Sequence, residues 1–124
     1  ERNTRRLRYC TAALPAALLF GPNTDGEPVR LGIPALPIGT LEDIEFSVGE
    51  TLVEMGSRLY IYSDGVYEVV LTNGAEMALE DFIPLVAIQP PPTLGLESVR
   101  AAVAGMQGRD RFDDDFSLVE LTFN

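Results

Sequence analysis

Arg58-Leu59-Tyr60-Ile61-Tyr62 is the segment that most constrains this chain. It is aromatic and β-branched, Gly56-Ser57 supplies a turn before it, and Ser63-Asp64-Gly65 stops it. That pattern predicts a strand bounded at both ends. A strand needs neighbours, and several are on offer. Residues 5–13 alternate loosely through Leu7, Tyr9 and Thr11, and residues 16–20 form a second apolar run. Gly21-Pro22-Asn23-Thr24-Asp25-Gly26 then carries turn chemistry and residues 28–31 return, which predicts a hairpin. Residues 33–39 hold two prolines and a glycine, so an ordered loop is expected. Short strands are expected at 44–48 and 50–53, separated by Gly49.

Beyond the central strand the period changes. Apolar residues at 77, 79, 82, 83 and 86 have helical spacing, which predicts a helix over 76–86. Gln89-Pro90-Pro91-Pro92-Thr93 reads as a stiff polyproline connector. Leu96, Val99, Val103 and Met106 mark a second helix that Gly108 ends. Asp113-Asp114-Asp115 then leads into an alternating strand, Phe116 to Phe123. Strands, two helices and a last strand define an α+β class with a largely antiparallel sheet.

Composition narrows the chemistry. With 124 residues, 46% hydrophobic and 23% charged, the chain suits one globular domain. Its 9 basic and 19 acidic residues give a net charge of −10, which argues against nucleic acid and anionic membrane as partners. Such a charge suits divalent cations, basic partner surfaces or simple solubility. There is no His and no Lys, which excludes Ser-His-Asp and Cys-His catalysis, His-ligated zinc, Walker-type phosphate loops and Schiff bases within this chain. Carboxylates must do any base-like or metal-binding work. The single cysteine, Cys10, has no intrachain partner and is read as a small core residue; a lone thiol fits a reducing, cytoplasmic setting. No apolar run reaches membrane-spanning length, so no direct membrane insertion is expected.

Two acidic sites lie at strand ends. Asp64 follows the strongest strand and precedes a glycine that permits a tight turn, and Asp113 to Asp115 precede the last strand. Three adjacent like charges repel, and a hard divalent cation relieves that cost through oxygen ligands. If the two strands are antiparallel neighbours, Asp64 and the acidic run converge on one sheet edge. Taken alone, Asp64-Gly65 is also a common turn dipeptide and the acidic run a solvated loop, and those readings stand beside the metal one.

Context weighs between them. Met55-Gly56-Ser57-Arg58-Leu59-Tyr60-Ile61-Tyr62-Ser63-Asp64-Gly65-Val66-Tyr67-Glu68 closely resembles the "pGDrLlLYTDGvtEa" segment of SpoIIE/RsbU-type phosphatases, members of the metal-dependent PPM (PP2C-like) superfamily. Thr72-Asn73-Gly74-Ala75-Glu76 resembles the family's following turn, Asp114-Asp115-Phe116-Ser117-Leu118-Val119 its terminal "DDiTLvvl" strand, and Leu36-Pro37-Ile38-Gly39 its "pLGi" loop. The four matches come in order and cover nearly the whole chain.

The resemblance implies a PP2C-like β-sandwich flanked by helices, of which residues 1–124 would be the C-terminal portion of a single phosphatase domain. It implies hydrolysis of phosphoserine or phosphothreonine by water activated at a pair of Mn2+ or Mg2+ ions. Asp64 and Asp114 match the family's metal ligands, with Gly65 and Asp115 in supporting roles, and no catalytic residue beyond the ligands is implied. The implied partners are a phosphoprotein substrate, an anti-sigma-factor antagonist being one candidate, and an upstream sensory or receiver domain. Two departures stand out. The family's "D..GHG" motif, with its further metal ligands, has no counterpart here. Ala12-Ala13-Leu14-Pro15 stands where the family has "AGHP". The fragment alone is therefore expected to be inactive. The alternative is a catalytically inactive phosphatase-like module that binds and sequesters a regulatory partner, and a third reading leaves the Asp residues as mere surface. Uncovered strand faces in a partial sandwich predict self-association, such as a homodimer, or a covering segment.

Overall fold

Side-chain alternation builds the sheets. The computed structural model describes residues 4–22, 26–88 and 95–124. The expected Asn23–Asp25 part of the hairpin turn and the Gln89–Thr93 connector lie outside the described residues. The described strands are β1 (Arg6–Tyr9), β2 (Ala17–Phe20), β3 (Val29–Leu31), β4 (Gly49–Leu52), β5 (Arg58–Tyr62) and β6 (Leu118–Thr122). Helices α1 (Leu79–Ala87) and α2 (Gly95–Gln107) fall between β5 and β6. This is the expected α+β class. Two compact units divide the chain: one runs up to Ile61 and takes back Leu121–Asn124, and the other spans Tyr62–Glu120.

In the first unit β1 pairs antiparallel with β4, from Arg6 opposite Leu52 to Tyr9 opposite Gly49. β2 pairs antiparallel with both β3 and β5, so the expected hairpin forms. Within this unit β3, β2 and β5 lie side by side in that order. Leu7 and Tyr9 of β1 pack with Ala17, Leu19, Leu31, Val53, Leu59 and Phe123 in one apolar cluster, so the two sheets share a core as in a sandwich. On the other face of β2 and β5, Phe20 meets Tyr60 edge-on at 5.7 Å, and the Arg58 guanidinium lies 5.6 Å from each ring. Full burial of such side chains contributes about 1.5–3 kcal/mol each.

Three expectations are corrected here. Cys10 is exposed, not a core residue. Leu7 and Tyr9 take the inward positions of β1, and the period of two puts Cys10 on the outward side. Residues 44–48 form no strand. After Tyr9 the chain turns its bonds elsewhere: the Thr11 hydroxyl donates to Ile33 O and accepts from Ile33 N–H, and Ala13 N–H donates to Ala35 O. The stretch that would extend β1 opposite 44–48 is thereby bonded to residues 33–35 instead. Gly49 is not a separator but the first residue of β4, because the Tyr9 ring lies where a β-carbon would be.

The second unit is built on Tyr62, Val66, Val69, Met77, Phe82, Ile83, Val86, Val99, Val103 and Ala104, all buried. Tyr62 packs its ring on Phe82 at 5.5 Å and on Tyr67 at 6.2 Å. Helix α1 begins later than the periodicity predicts, at Leu79. The preceding residues serve a turn instead: Met77 N–H bonds Val69 O, Leu71 N–H bonds Ala75 O, and Gly74 takes φ +83° between them. The Asp81 carboxylate accepts Ala78 N–H and caps the helix start. Helix α2 ends as expected: Gly108 is left-handed at φ +75°, and Arg109 N–H returns to Ala104 O. Among the described residues no helix is long and apolar enough to cross a membrane.

Candidate metal site

β5 delivers Asp64 to the site. The strand stops at Tyr62, Ser63 stays extended, and Asp64–Val66 form one turn of 3₁₀ helix. Asp64 O accepts the N–H groups of Tyr67 and Glu68 at 3.0 and 2.9 Å, which pins the turn. Its side-chain Oδ1 accepts Gly65 N–H at 3.0 Å. The carboxylate is exposed, while Gly65 and Val66 beside it are buried.

A braced connector delivers Asp114. Gln107, buried at the end of α2, donates from Nε2 to Arg109 O and Arg111 O at 2.8 and 3.1 Å. Arg100 lies 5.6 Å from the Phe112 ring, which in turn packs on Phe116 at 4.8 Å. Asp113 is occupied by an ion pair with Arg109, whose hydrogen bond and charge hold its carboxyl below the usual range. Asp114 Oδ1 accepts Asp115 N–H at 2.8 Å. The Asp113–Asp115 run is thus divided, with Asp113 tied to Arg109 and the next two acids toward the Asp64 turn.

The two segments meet closely. Ser63 N–H donates to Ser117 O at 3.0 Å, and Phe123 N–H donates to Ser57 O at 2.9 Å. A β-carbon on Gly65 would sit 2.5 Å from Asp115 O and 3.3 Å from the β-carbon of Asp114. Asp64, Gly65, Asp114 and Asp115 therefore gather at one place. Among the described residues, however, no group of three or more acidic, cysteine or histidine side chains is placed to hold a metal ion.

The donor set fits a hard divalent cation in kind, though not in number. Asp64 and Asp114 each have one oxygen fixed by the next residue's N–H, which orients the carboxylate for a second partner. A cleft of about 680 Å3 lined by Arg5, Leu7, Met55 and Phe123 contains none of these acids. Two neighbours of the site, Ser63 and Tyr67, carry little signal in the sequence. The Ser63 hydroxyl bonds the Asp115 carbonyl across the site, and only its place before Asp64-Gly65 could have signalled it. Tyr67 has its phenol raised above the ordinary pKa of 10.0 by burial, with Glu68, Asp64 and Glu80 adding to the rise.

Solved structures of similar fold include phosphatase domains of the PP2C class. The SiaA-PP2C domain of Pseudomonas aeruginosa matches with TM-score 0.78 at 22% identity, over 100% of this chain and 49% of that one. The PP2C phosphatase domain of the cell fate determinant SpoIIE from Bacillus subtilis, with a fragment of its regulatory domain, matches with TM-score 0.75 at 14% identity, over 94% and 34%. The manganese-presoaked SpoIIE phosphatase domain from the same organism gives TM-score 0.69 at 13% identity, over 100% and 53%. The chain thus spans a third to about half the length of these structures, and at such identities the likeness is one of fold. No curated protein matches in sequence. The family model of stage II sporulation protein E (SpoIIE) matches residues 1–124, and the chain belongs to that family.

Proposed function

We propose that this chain is the C-terminal part of a metal-dependent protein phosphatase domain, in which Asp64 and Asp114 help hold a divalent cation, Mn2+ or Mg2+. The observation that carries the reading is the approach of Asp115 O and Asp114 to Gly65, which gathers Asp64 and Asp114 in a chain of the SpoIIE family. The manganese-presoaked SpoIIE phosphatase domain among the fold relatives supports the choice of metal. When bound, such a cation lowers the pKa of a coordinated water and neutralises charge on phosphoryl oxygens. This chain's residues orient the carboxylates: Gly65 N–H and Asp115 N–H each hold one oxygen, and Gly65 leaves room for the second strand.

The proposed substrate is a phosphoserine or phosphothreonine on a regulatory protein, an anti-sigma-factor antagonist by family resemblance. A complete domain would hold two ions, with the remaining ligands and an upstream sensory or receiver domain outside this chain, in the cytoplasm. Leu14 in place of the family's His favours a second reading, an inactive phosphatase-like module that docks a partner, as a homodimer or otherwise. The test is Mn2+-dependent phosphate release from a phosphoserine protein by the full-length protein. Release that a chelator stops and Mn2+ restores supports the phosphatase. No release with any divalent ion supports the docking module.

A further inference from the structure

We propose that Ser63 is a positioning residue whose hydroxyl sets the separation of Asp64 and Asp114. The inference rests on the metal reading above and names the group that holds that site in register. Main-chain pairing between the two strand ends reaches Ser63, whose N–H donates to Ser117 O at 3.0 Å. The side chain carries the pairing further. Ser63 Oγ donates to Asp115 O at 2.8 Å and accepts Ser117 N–H at 3.2 Å. One oxygen atom thus joins the residue before Asp64 to the residue after Asp114.

This is not the bond that a serine in this place ordinarily makes. Ser63 precedes a helical turn, where a serine hydroxyl usually accepts an N–H of that turn. Ser63 makes no such cap bond, and the Gly65 N–H is met by Asp64 Oδ1 instead. The hydroxyl is directed across the gap. Gly65 removes the steric barrier to the approach of Asp115, and Ser63 supplies the attraction that holds it there.

Substitution at Ser63 separates this role from general packing. Ser63→Thr keeps a hydroxyl, Ser63→Val has the shape of threonine without it, and Ser63→Ala removes it without added bulk. The readout is Mn2+ affinity of the full-length protein by calorimetric titration, beside thermal unfolding of each variant. Groups that orient metal ligands are worth roughly 10- to 100-fold in affinity, so Ser63→Val and Ser63→Ala should weaken Mn2+ by about that factor while Ser63→Thr stays within about twofold of wild type. At saturating Mn2+ the weakened variants should recover most of their turnover. Equal Mn2+ affinity for Ser63→Val, Ser63→Ala and Ser63→Thr overturns the proposal, and Ser63→Ala decides it if the valine variant does not fold. If Asp64→Asn binds Mn2+ as tightly as wild type, the metal reading itself falls and takes this inference with it.

Discussion

The carbonyl oxygen of Asp115 lies 2.5 Å from the point a β-carbon on Gly65 would occupy. The atom in the way belongs to the backbone, so no rotamer change makes room for it. Gly65→Ala must push the Asp114–Asp115 segment away from Asp64. Overpacking of this kind costs about 1–3 kcal/mol, and thermal unfolding of the variant should show a loss in that range. A melting temperature equal to wild type would mean that the close approach does not hold in solution.

Ala13 has φ +56°, a left-handed conformation disfavoured for any residue with a β-carbon. It stands where the family pattern "AGHP" has glycine. The conformation costs about 1–2 kcal/mol for a non-glycine residue, and a new glycine loses about 0.4–1 kcal/mol through the unfolded chain. Ala13→Gly should therefore stabilise the protein by up to about 1.5 kcal/mol. Denaturant unfolding would read this as a higher midpoint; a lower midpoint would contradict it.

Tyr67 connects the site to alkaline pH. Its folded pKa is raised, first by burial and then by Glu68, Asp64 and Glu80. The folded chain holds the phenol proton more tightly than the unfolded chain does. The stabilising contribution is therefore complete below the ordinary value of 10.0 and falls away as pH rises through the folded pKa. Wild type should lose more stability than Tyr67→Phe as pH rises above the ordinary phenol value of 10.0. Parallel unfolding curves for the two proteins above that value would show that the phenol is not shifted.

Much of the scaffold was legible because its signals are local. β5 falls on Arg58–Tyr62 as expected, since turn residues bound it on both sides. Helix α2 ends at Gly108 because only a left-handed residue closes it there. What failed to show depends on tertiary neighbours. Gly49 looks like a break until the Tyr9 ring is seen to cover it, and residues 44–48 look like a strand until Thr11 is seen bonding Ile33 instead. At the site the residue types were readable and their meeting was conditional. Asp64 and Asp114 stand out in the sequence as candidates, but the opening at Gly65 and the bridge from Ser63 depend on how the two segments meet in the fold.

The central claim is that Asp64 and Asp114 bind the same ion, and a double-mutant cycle on Mn2+ affinity tests it most directly. Orienting groups alone are worth roughly 10- to 100-fold, so loss of a ligand costs at least as much. Asp64→Asn and Asp114→Asn in the full-length protein should each weaken Mn2+ by about tenfold or more, and the double variant should be little worse than either. Unchanged affinity in either single variant, or losses that multiply in the double variant, would contradict a shared ion.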